Sequence, residues 1–395
     1  MMYWIEWFCR WLWGWFCFFR CRWQWFFRWQ WFWRWLWRCR QLRRCRWLCL
    51  CAALVLLGCT APPEDAGFSL VTYNVQTLFD DRHDGNEFSE YVPSPDGWNS
   101  RKYHNRLRRL SQVIRDVASA APDVLMLQEI ENAQVLRDLD QFFIRDLNYR
   151  HVAVSGEGSL SIAVLSKRPF LHTQVHGVRW EGIDLRPLIE VHIELPDSLR
   201  LIMYAVHWKS KRGGARESEH LRRASAHVLA RAIMKNRESY PEAAFIAAGD
   251  FNEDIDEFSK SGYRTAIMPV SEMMNWQESG DMIIPIFVSS AQDFDAESAD
   301  DQGISEGIPE DSADVPVFYH FWGDEGGSYF FRDSWEKIDH ILFSHEIFRR
   351  YDDVDFRVFK PWYLLDYSLE PQEYQARNAN GYSDHLPVVL EFTFR

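Results

Sequence analysis

Leu201-Ile-Met-Tyr-Ala-Val-His207 runs into Trp208-Lys209-Ser210-Lys211-Arg212-Gly213-Gly214, and after the stretch 216–235 comes Ala244-Phe-Ile-Ala-Ala-Gly249-Asp250-Phe251-Asn252. The outer pieces are short, apolar and suited to β structure, while 216–235 is long enough for a helix. Each apolar run stops abruptly at polar, reactive side chains. The same grammar extends in both directions. Residues 68–75, 124–127, 161–165, 187–195, 337–343 and 387–394 read as strands, and 101–119 and 132–147 as helices, the first with Leu107, Leu110, Val113, Ile114 and Val117 at helical spacing. Strand and helix alternate without tandem repeats, which argues for a layered α/β domain over residues 67–395.

Six polar motifs stand at or within these strands: Thr72-Tyr73-Asn74, Leu127-Gln128-Glu129, His207 to Gly214, Gly249-Asp250-Phe251-Asn252, Lys337-Ile338-Asp339-His340-Ile341-Leu342 and Ser383-Asp384-His385. Each alone is weak: Glu129 reads as a surface acid, Asp250 and Asn252 as turn formers, His385 as a structural histidine. Their order and spacing over about 310 residues form a much stronger signal. Alternation along an extended chain puts Asp250 and Asn252 on one face and sends Phe251 into the core. By the same rule His340 points away from Asp339's face and is read as structural.

The composition belongs to a globular protein: 395 residues, 47% hydrophobic and 26% charged, which excludes disorder as the whole answer. The averages nevertheless merge two unlike pieces. Thirteen of the 20 Trp fall in residues 1–47, and all eight Cys fall in residues 1–59. Residues 1–58 carry a net charge of +9 and the remainder −22. So acidic a body argues against general affinity for polyanions, so phosphate chemistry here needs a metal or a local basic site. Lys209, Lys211 and Arg212 offer such a site, whereas Arg101, Lys102, Arg106, Arg108 and Arg109 read as a solvated helix face.

Within the head, residues 43–58 pair a basic start with a twelve-residue apolar run, and Leu56-Leu57-Gly58-Cys59 resembles a bacterial lipobox. That resemblance implies cleavage before Cys59, lipid attachment to it, and a short tether over 59–66 that holds the protein to a membrane outside the cytoplasm. The apolar run is too short for a spanning helix of about 20 residues. Residues 1–42 repeat Arg22-Trp-Gln-Trp and Arg28-Trp-Gln-Trp. They are read either as an extension created by an upstream start site or as a cationic aromatic membrane-surface segment. Residues 292–315 carry nine acids and no base and read as a disordered surface insertion without the spacing of a calcium loop. The flanks, 268–289 and 318–331, read as a substrate-side lobe or as simple packing.

The six motifs together resemble the endonuclease/exonuclease/phosphatase superfamily, particularly its secreted bacterial nuclease-like branch. The resemblance covers residues 67–395 and implies a four-layered α/β/β/α sandwich of the deoxyribonuclease type. It implies a metal-dependent phosphodiester hydrolase, acting as a monomer, with Mg2+, or else Mn2+ or Ca2+, held by Glu129, by Asn74 or Gln76, and by Asp384. Asp250 would position and deprotonate the attacking water, and Asn252 would bond the phosphate. His385, oriented by Asp339, would face the scissile phosphate, and His207 would bind phosphate or protonate the leaving group. Lys209 or Arg212 would touch substrate. Gln76 departs from the acid usual in relatives, which puts a second carboxylate-rich metal site in doubt. Glu253 and Trp335-Glu336-Lys337 disfavour an inositol phosphatase. DNA or RNA is the leading substrate, sphingomyelin the rival, and a non-catalytic surface binding module the alternative of a different class, hinted at by Gln76 alone.

Overall fold

The computed structural model describes residues 67–118, 121–156, 160–293, 315–323 and 326–394. The Trp/Arg-rich stretch, the signal-like segment, Cys59 with its tether, and residues 294–314 of the acidic insertion lie outside the described residues. In chain order the elements are β1 (Gly67–Leu78), α1 (Ser100–Asp116), β2 (Val124–Ile130), α2 (Ala133–Leu139), β3 (His151–Val154), β4 (Ser161–Ser166), β5 (His172–Trp180), β6 (Ile183–Glu194), β7 (Arg200–His207), α3 (Ala215–Ser239), β8 (Ala244–Asp250), α4 (Glu257–Ser261), β9 (Ile267–Pro269), α5 (Met273–Glu278), β10 (Ile286–Ser290), β11 (Val317–His320), β12 (Tyr329–Phe331), β13 (Ser334–Glu336), β14 (Asp339–Phe343), α6 (Glu346–Arg350), β15 (Tyr351–Val358) and β16 (Val388–Phe394). No described helix is long and apolar enough to cross a membrane.

Two large sheets form the body, ordered β15-β16-β1-β2-β4-β3 and β5-β6-β7-β8-β14-β11-β10-β9, with β12 and β13 as a separate hairpin. Period-two alternation sets the layers. On β1, Val71, Tyr73 and Val75 bury against Tyr103, Leu107, Leu110 and Ile114 of α1, while Leu70 joins Val124 and Met126 in the core shared with the second sheet. Helix α3 contributes Ala226, Leu229, Ala230 and Ile233 to that core. The result is the expected α/β/β/α sandwich. α1 starts where Asn99 caps it, its side chain accepting from the Lys102 N–H at 3.2 Å.

Register decides what the sheet ends hold. β7 pairs parallel to β8 with His207 opposite Asp250, and β14 pairs antiparallel to β8 with Asp339 opposite Asp250. Three reactive residues thus stand in one row across adjacent strands. Gly249, with φ +146°, allows this approach, since a Cβ there would lie 2.0 Å from the Val206 carbonyl oxygen.

Several expectations are corrected. The region 132–147 is α-helical only to Leu139, and then becomes a π turn and a 3-10 turn. Of the two readings of 268–289 and 318–331, packing describes most of both: β9, β10 and β11 extend the second sheet, and Met268, Met273, Phe287 and Val315 form a small core, while 329–331 belong to the β12–β13 hairpin. The basic face of α1 is not wholly solvated. Arg106 is buried, donates to the carbonyls of Val75, Gln76 and Tyr382, and stacks 3.6 Å from the Tyr374 ring centroid. Lys102 is also buried and donates to the Arg377 carbonyl at 2.9 Å.

Candidate active site

β1 and β8 face each other from the two sheets, and Asn74 joins them. Its Nδ2 donates to Asp250 Oδ2 at 3.0 Å and to Glu129 Oε1 at 3.3 Å, so a single amide fixes carboxylates from both sheets. Glu129 Oε2 accepts the Thr77 N–H at 2.8 Å. The backbone is unusual here: Gln76, Thr77, Glu129 and Asn252 have φ of +51°, +50°, +66° and +50°. Left-handed backbone in non-glycine residues costs of order 1 kcal/mol or more each and persists where surrounding bonds over-determine it. The Asn74 side chain supplies one such bond, its Oδ1 accepting the Gln76 N–H at 3.0 Å.

Asp250 is buried, and its Oδ1 accepts the Asn252 N–H at 2.8 Å. Burial leads in pushing its carboxyl up to about 7; the His385 charge opposes the shift, and Asp339 adds to it. Phe251 is fully buried against Trp208 and His340, as the alternation predicted. The Asn252 amide donates to the Trp208 carbonyl at 3.3 Å.

His385 Nδ1 lies 2.7 Å from Asp339 Oδ2, and both side chains are buried. Burial opposes a charge on His385, but the carboxylates of Asp339, Asp384 and Asp250 outweigh it and hold its pKa well above the ordinary histidine value. His207 is the opposite case. Burial first, then the positive charges of Arg186 and His385, push it well below that value, so its ring is neutral, with Nε2 3.4 Å from Asp250 Oδ2 and 3.8 Å from Glu129 Oε1. His340 is structural as expected: Trp322 donates to its Nδ1 and its Nε2 lies 2.8 Å from the Glu253 carbonyl.

Gln76 does not join the metal-ligand candidates. Its Oε1 accepts the backbone N–H groups of Tyr374 and Asp384 at 2.7 and 3.2 Å, and its Nε2 donates to Glu373, so the whole amide is spent bracing the loop before His385. Asp384 is brought to this loop, its carboxylate acting on His385 through its field.

The remaining oxygens suit a hard divalent cation. Glu129 offers a carboxylate at the sheet end, oxygens of Asp250 and Asp339 lie within 4.8 Å of each other, and Asp339 Oδ1 is buried without a hydrogen-bond donor, while the charged His385 has no lone pair to give a metal. Sequence reasoning missed Arg186, which sits one residue outside the strand it had drawn. Its guanidinium donates to the Trp208 carbonyl at 2.7 Å and its charge acts on Glu129, Asp250 and His207. Among the described residues Arg186, Lys209 and Arg212 lack a carboxylate ion-pair partner, whereas Lys211 is paired with Glu257 at 2.7 Å. Tyr329 was missed too; its ring lies 4.6 Å from that of His385 and belongs to the β12–β13 hairpin.

A family model, that of the Endonuclease/Exonuclease/phosphatase family, matches residues 69–288, more than half of the sequence. The chain belongs to this family. Solved structures similar to this family member include a truncated TDP2 from Caenorhabditis elegans, at 15% identity with 83% of this chain and 97% of that one covered and a TM-score of 0.47. A D. rerio TDP2 complexed with single strand DNA product matches at 16% identity, with 83% and 100% covered and a TM-score of 0.43. A mannosyl-6-phosphatase from Bacteroides thetaiotaomicron matches at 14% identity, with 83% and 100% covered and a TM-score of 0.44. No curated protein sequence matches the chain. Family membership makes it a hydrolase of the metal-dependent phosphoesterase type.

Proposed function

We propose that this chain is a phosphodiesterase of nuclease type, acting on DNA or RNA outside the cytoplasm. The observation that carries the reading is geometric: the strand row of His207, Asp250 and Asp339 meets His385, whose nitrogen lies within 4.8 Å of the Asp250 and Asp339 oxygens, so groups of opposite protonation tendency share one cluster. A buried Asp250 poised near neutrality stands beside the protonated His385 and the neutral His207. Asp250, held by Asn74 and the Asn252 N–H, takes a proton from the attacking water. His385 presents a fixed positive charge to the phosphoryl oxygens, kept protonated and oriented by Asp339. His207 and Asn252 offer hydrogen bonds to the same oxygens. Glu129, with Asn74 nearby, would hold a magnesium or manganese ion, which when bound neutralises phosphate charge and helps the leaving oxygen depart.

A polyanion is favoured because, among the described residues, Arg186, Lys209 and Arg212 have no carboxylate ion-pair partner, with the Arg186 charge acting on His207 and Lys209 lying near Arg186, on a body of net charge −22. A second reading has its own observation: Phe331, 45% exposed, lies on the hairpin that carries Tyr329 to His385, which would suit a lipid phosphodiester such as sphingomyelin. The binding-module alternative loses its hint, since Gln76 is explained by the loop it braces. Attachment through a lipid on Cys59 rests on the lipobox-like segment, and a monomer is the expected state.

The test is a magnesium and manganese screen against plasmid DNA, RNA, sphingomyelin and phosphorylated sugars, with His385→Ala as control. Nucleic-acid cleavage lost in His385→Ala supports the proposal. Turnover of sphingomyelin alone moves the assignment to lipid, and no turnover of any substrate sinks it.

A further inference from the structure

A second group of carboxylates sits where β1 and β2 leave the sheet. Asp80 follows β1 by two residues, Glu131 follows β2 by one, and Asp84 comes from the loop after β1; oxygens of all three lie within 4.8 Å of one another. Asp80 and Glu131 are 1% and 2% exposed, while Asp84 is on the surface and opens the group to solvent. Glu131 Oε2 accepts the Asp80 N–H at 2.7 Å, but Glu131 Oε1 is buried with no hydrogen-bond partner. A buried carboxylate oxygen with neither donor nor counter-charge is costly. Among the described residues no Lys, Arg or His forms an ion pair with any of the three.

The surroundings are otherwise well ordered by hydrogen bonds. Asp80 Oδ1 accepts the Arg82 N–H and Oδ2 accepts from the Asn132 amide, at 2.7 and 3.2 Å, so the carboxylate is held in place while keeping lone pairs free. We propose that Asp80, Asp84 and Glu131 form a calcium site, distinct from the catalytic ligands, that braces the ends of β1 and β2. Three carboxylates, two from the loop after β1 and one from the end of β2, make an irregular, all-oxygen donor set completed by water. Calcium accepts six to eight oxygens in flexible geometry, whereas magnesium demands a near-ideal octahedron and dehydrates reluctantly. The consequence reaches the active site through the backbone: the Glu131 N–H donates to the Leu78 carbonyl at 3.1 Å, and Thr77, one residue earlier, donates to Glu129. Loading this site would therefore fix the turn that aims Glu129.

The experiment uses the full chain carrying Glu129→Gln, which removes one of the carboxylates offered to the catalytic metal, so that a response lost with Asp84 or Glu131 is assigned to the second group. Terbium emission, sensitised by Trp98, whose indole N–H donates to the Asp80 carbonyl, reports occupancy, and calcium displaces it. Calcium should also raise the melting temperature more than equal magnesium does. Adding Asp84→Asn should weaken calcium at least tenfold and abolish the calcium-induced rise, leaving the melting temperature in EDTA unchanged. Adding Glu131→Gln should raise the melting temperature in EDTA and remove the response to calcium, an opposite pair of signs that simple misfolding cannot give. A calcium response unaltered by both substitutions, no response in the Glu129→Gln protein, or magnesium acting as well as calcium overturns the proposal. None of these readings depends on the substrate.

Discussion

Asp339 Oδ2 lies 2.7 Å from His385 Nδ1 and accepts Ser328 Oγ at 2.6 Å, so the carboxylate that charges the histidine is itself fixed by a hydroxyl from beside the β12–β13 hairpin. Asn at 339 would keep the shape and remove the charge. Asp339→Asn should lower kcat by about 100- to 10,000-fold with a small change in KM, because the interaction lost is with the transition state. An equal loss in KM alone would assign Asp339 to substrate binding.

The pH profile follows from the environments of one carboxyl and one imidazole. Asp250 must be ionised to take a proton, and burial, partly offset by His385, pushes it up to about 7. Lowering the pH below that value protonates it, so kcat/KM should fall about tenfold per pH unit on the acid side. His385, held well above the ordinary value, keeps its charge just above neutrality, so no loss is expected there. In Asp339→Asn the alkaline limb should move down toward neutral pH. A flat acid limb between pH 5 and 7 would remove Asp250 from the role of base.

Gln76→Glu tests whether an acid at this position builds a second metal site. The Gln76 amide accepts from Tyr374 and Asp384 and donates to Glu373 at 3.0 Å. A carboxylate keeps both acceptor bonds, loses the donor, and sets two acids together. The variant should be less stable by about 1 kcal/mol and show no new metal stoichiometry by calorimetry. A second equivalent of bound Mn2+ would show that position 76 can reach a metal.

How much of this was legible in the sequence depends on where each residue keeps its signal. Asn74, Glu129, His207, Asp250 and Asp339 end or occupy strongly apolar runs and His385 stands just before one, so both their strands and their common edge could be read. β5 was not, because His172–Trp180 is a largely exposed edge strand whose alternation carries little hydrophobic contrast. β15 was hidden by Asp352, Asp353 and Asp355. Gln76 and Arg106 misled for one reason: their long polar side chains spend their bonds on backbone groups about 30 to 300 residues away, which no local spacing reports. Arg186 gave no motif, and its place is set by the β6–β7 pairing that brings it to Trp208.

The exposed edge at β5 carries the last prediction. Glu190 is buried, with Oε2 2.9 Å from His176 Nε2 and Oε1 2.7 Å from His192 Nε2. Arg200 donates to His192 Nδ1 at 3.2 Å, so the His192 hydrogen sits on Nε2 and points at the carboxylate. Burial works to raise the Glu190 pKa, but hydrogen bonds from His176, His192 and Asn236 overcome it and hold it well below the usual carboxylate range. A carboxyl depressed in the folded state contributes stability above its unfolded value, near 4.5, and loses that contribution as pH falls through its folded value. Glu190→Gln should therefore destabilise the fold by about 2 kcal/mol at pH 7, measured by urea denaturation, with activity per folded molecule unchanged. At pH 3 the gap between variant and parent should be smaller, because the parent's unfolded chain already takes up a proton at this carboxyl while the folded chain does not. A gap of the same size at both values would mean that shape, not charge, holds this edge of the sheet together.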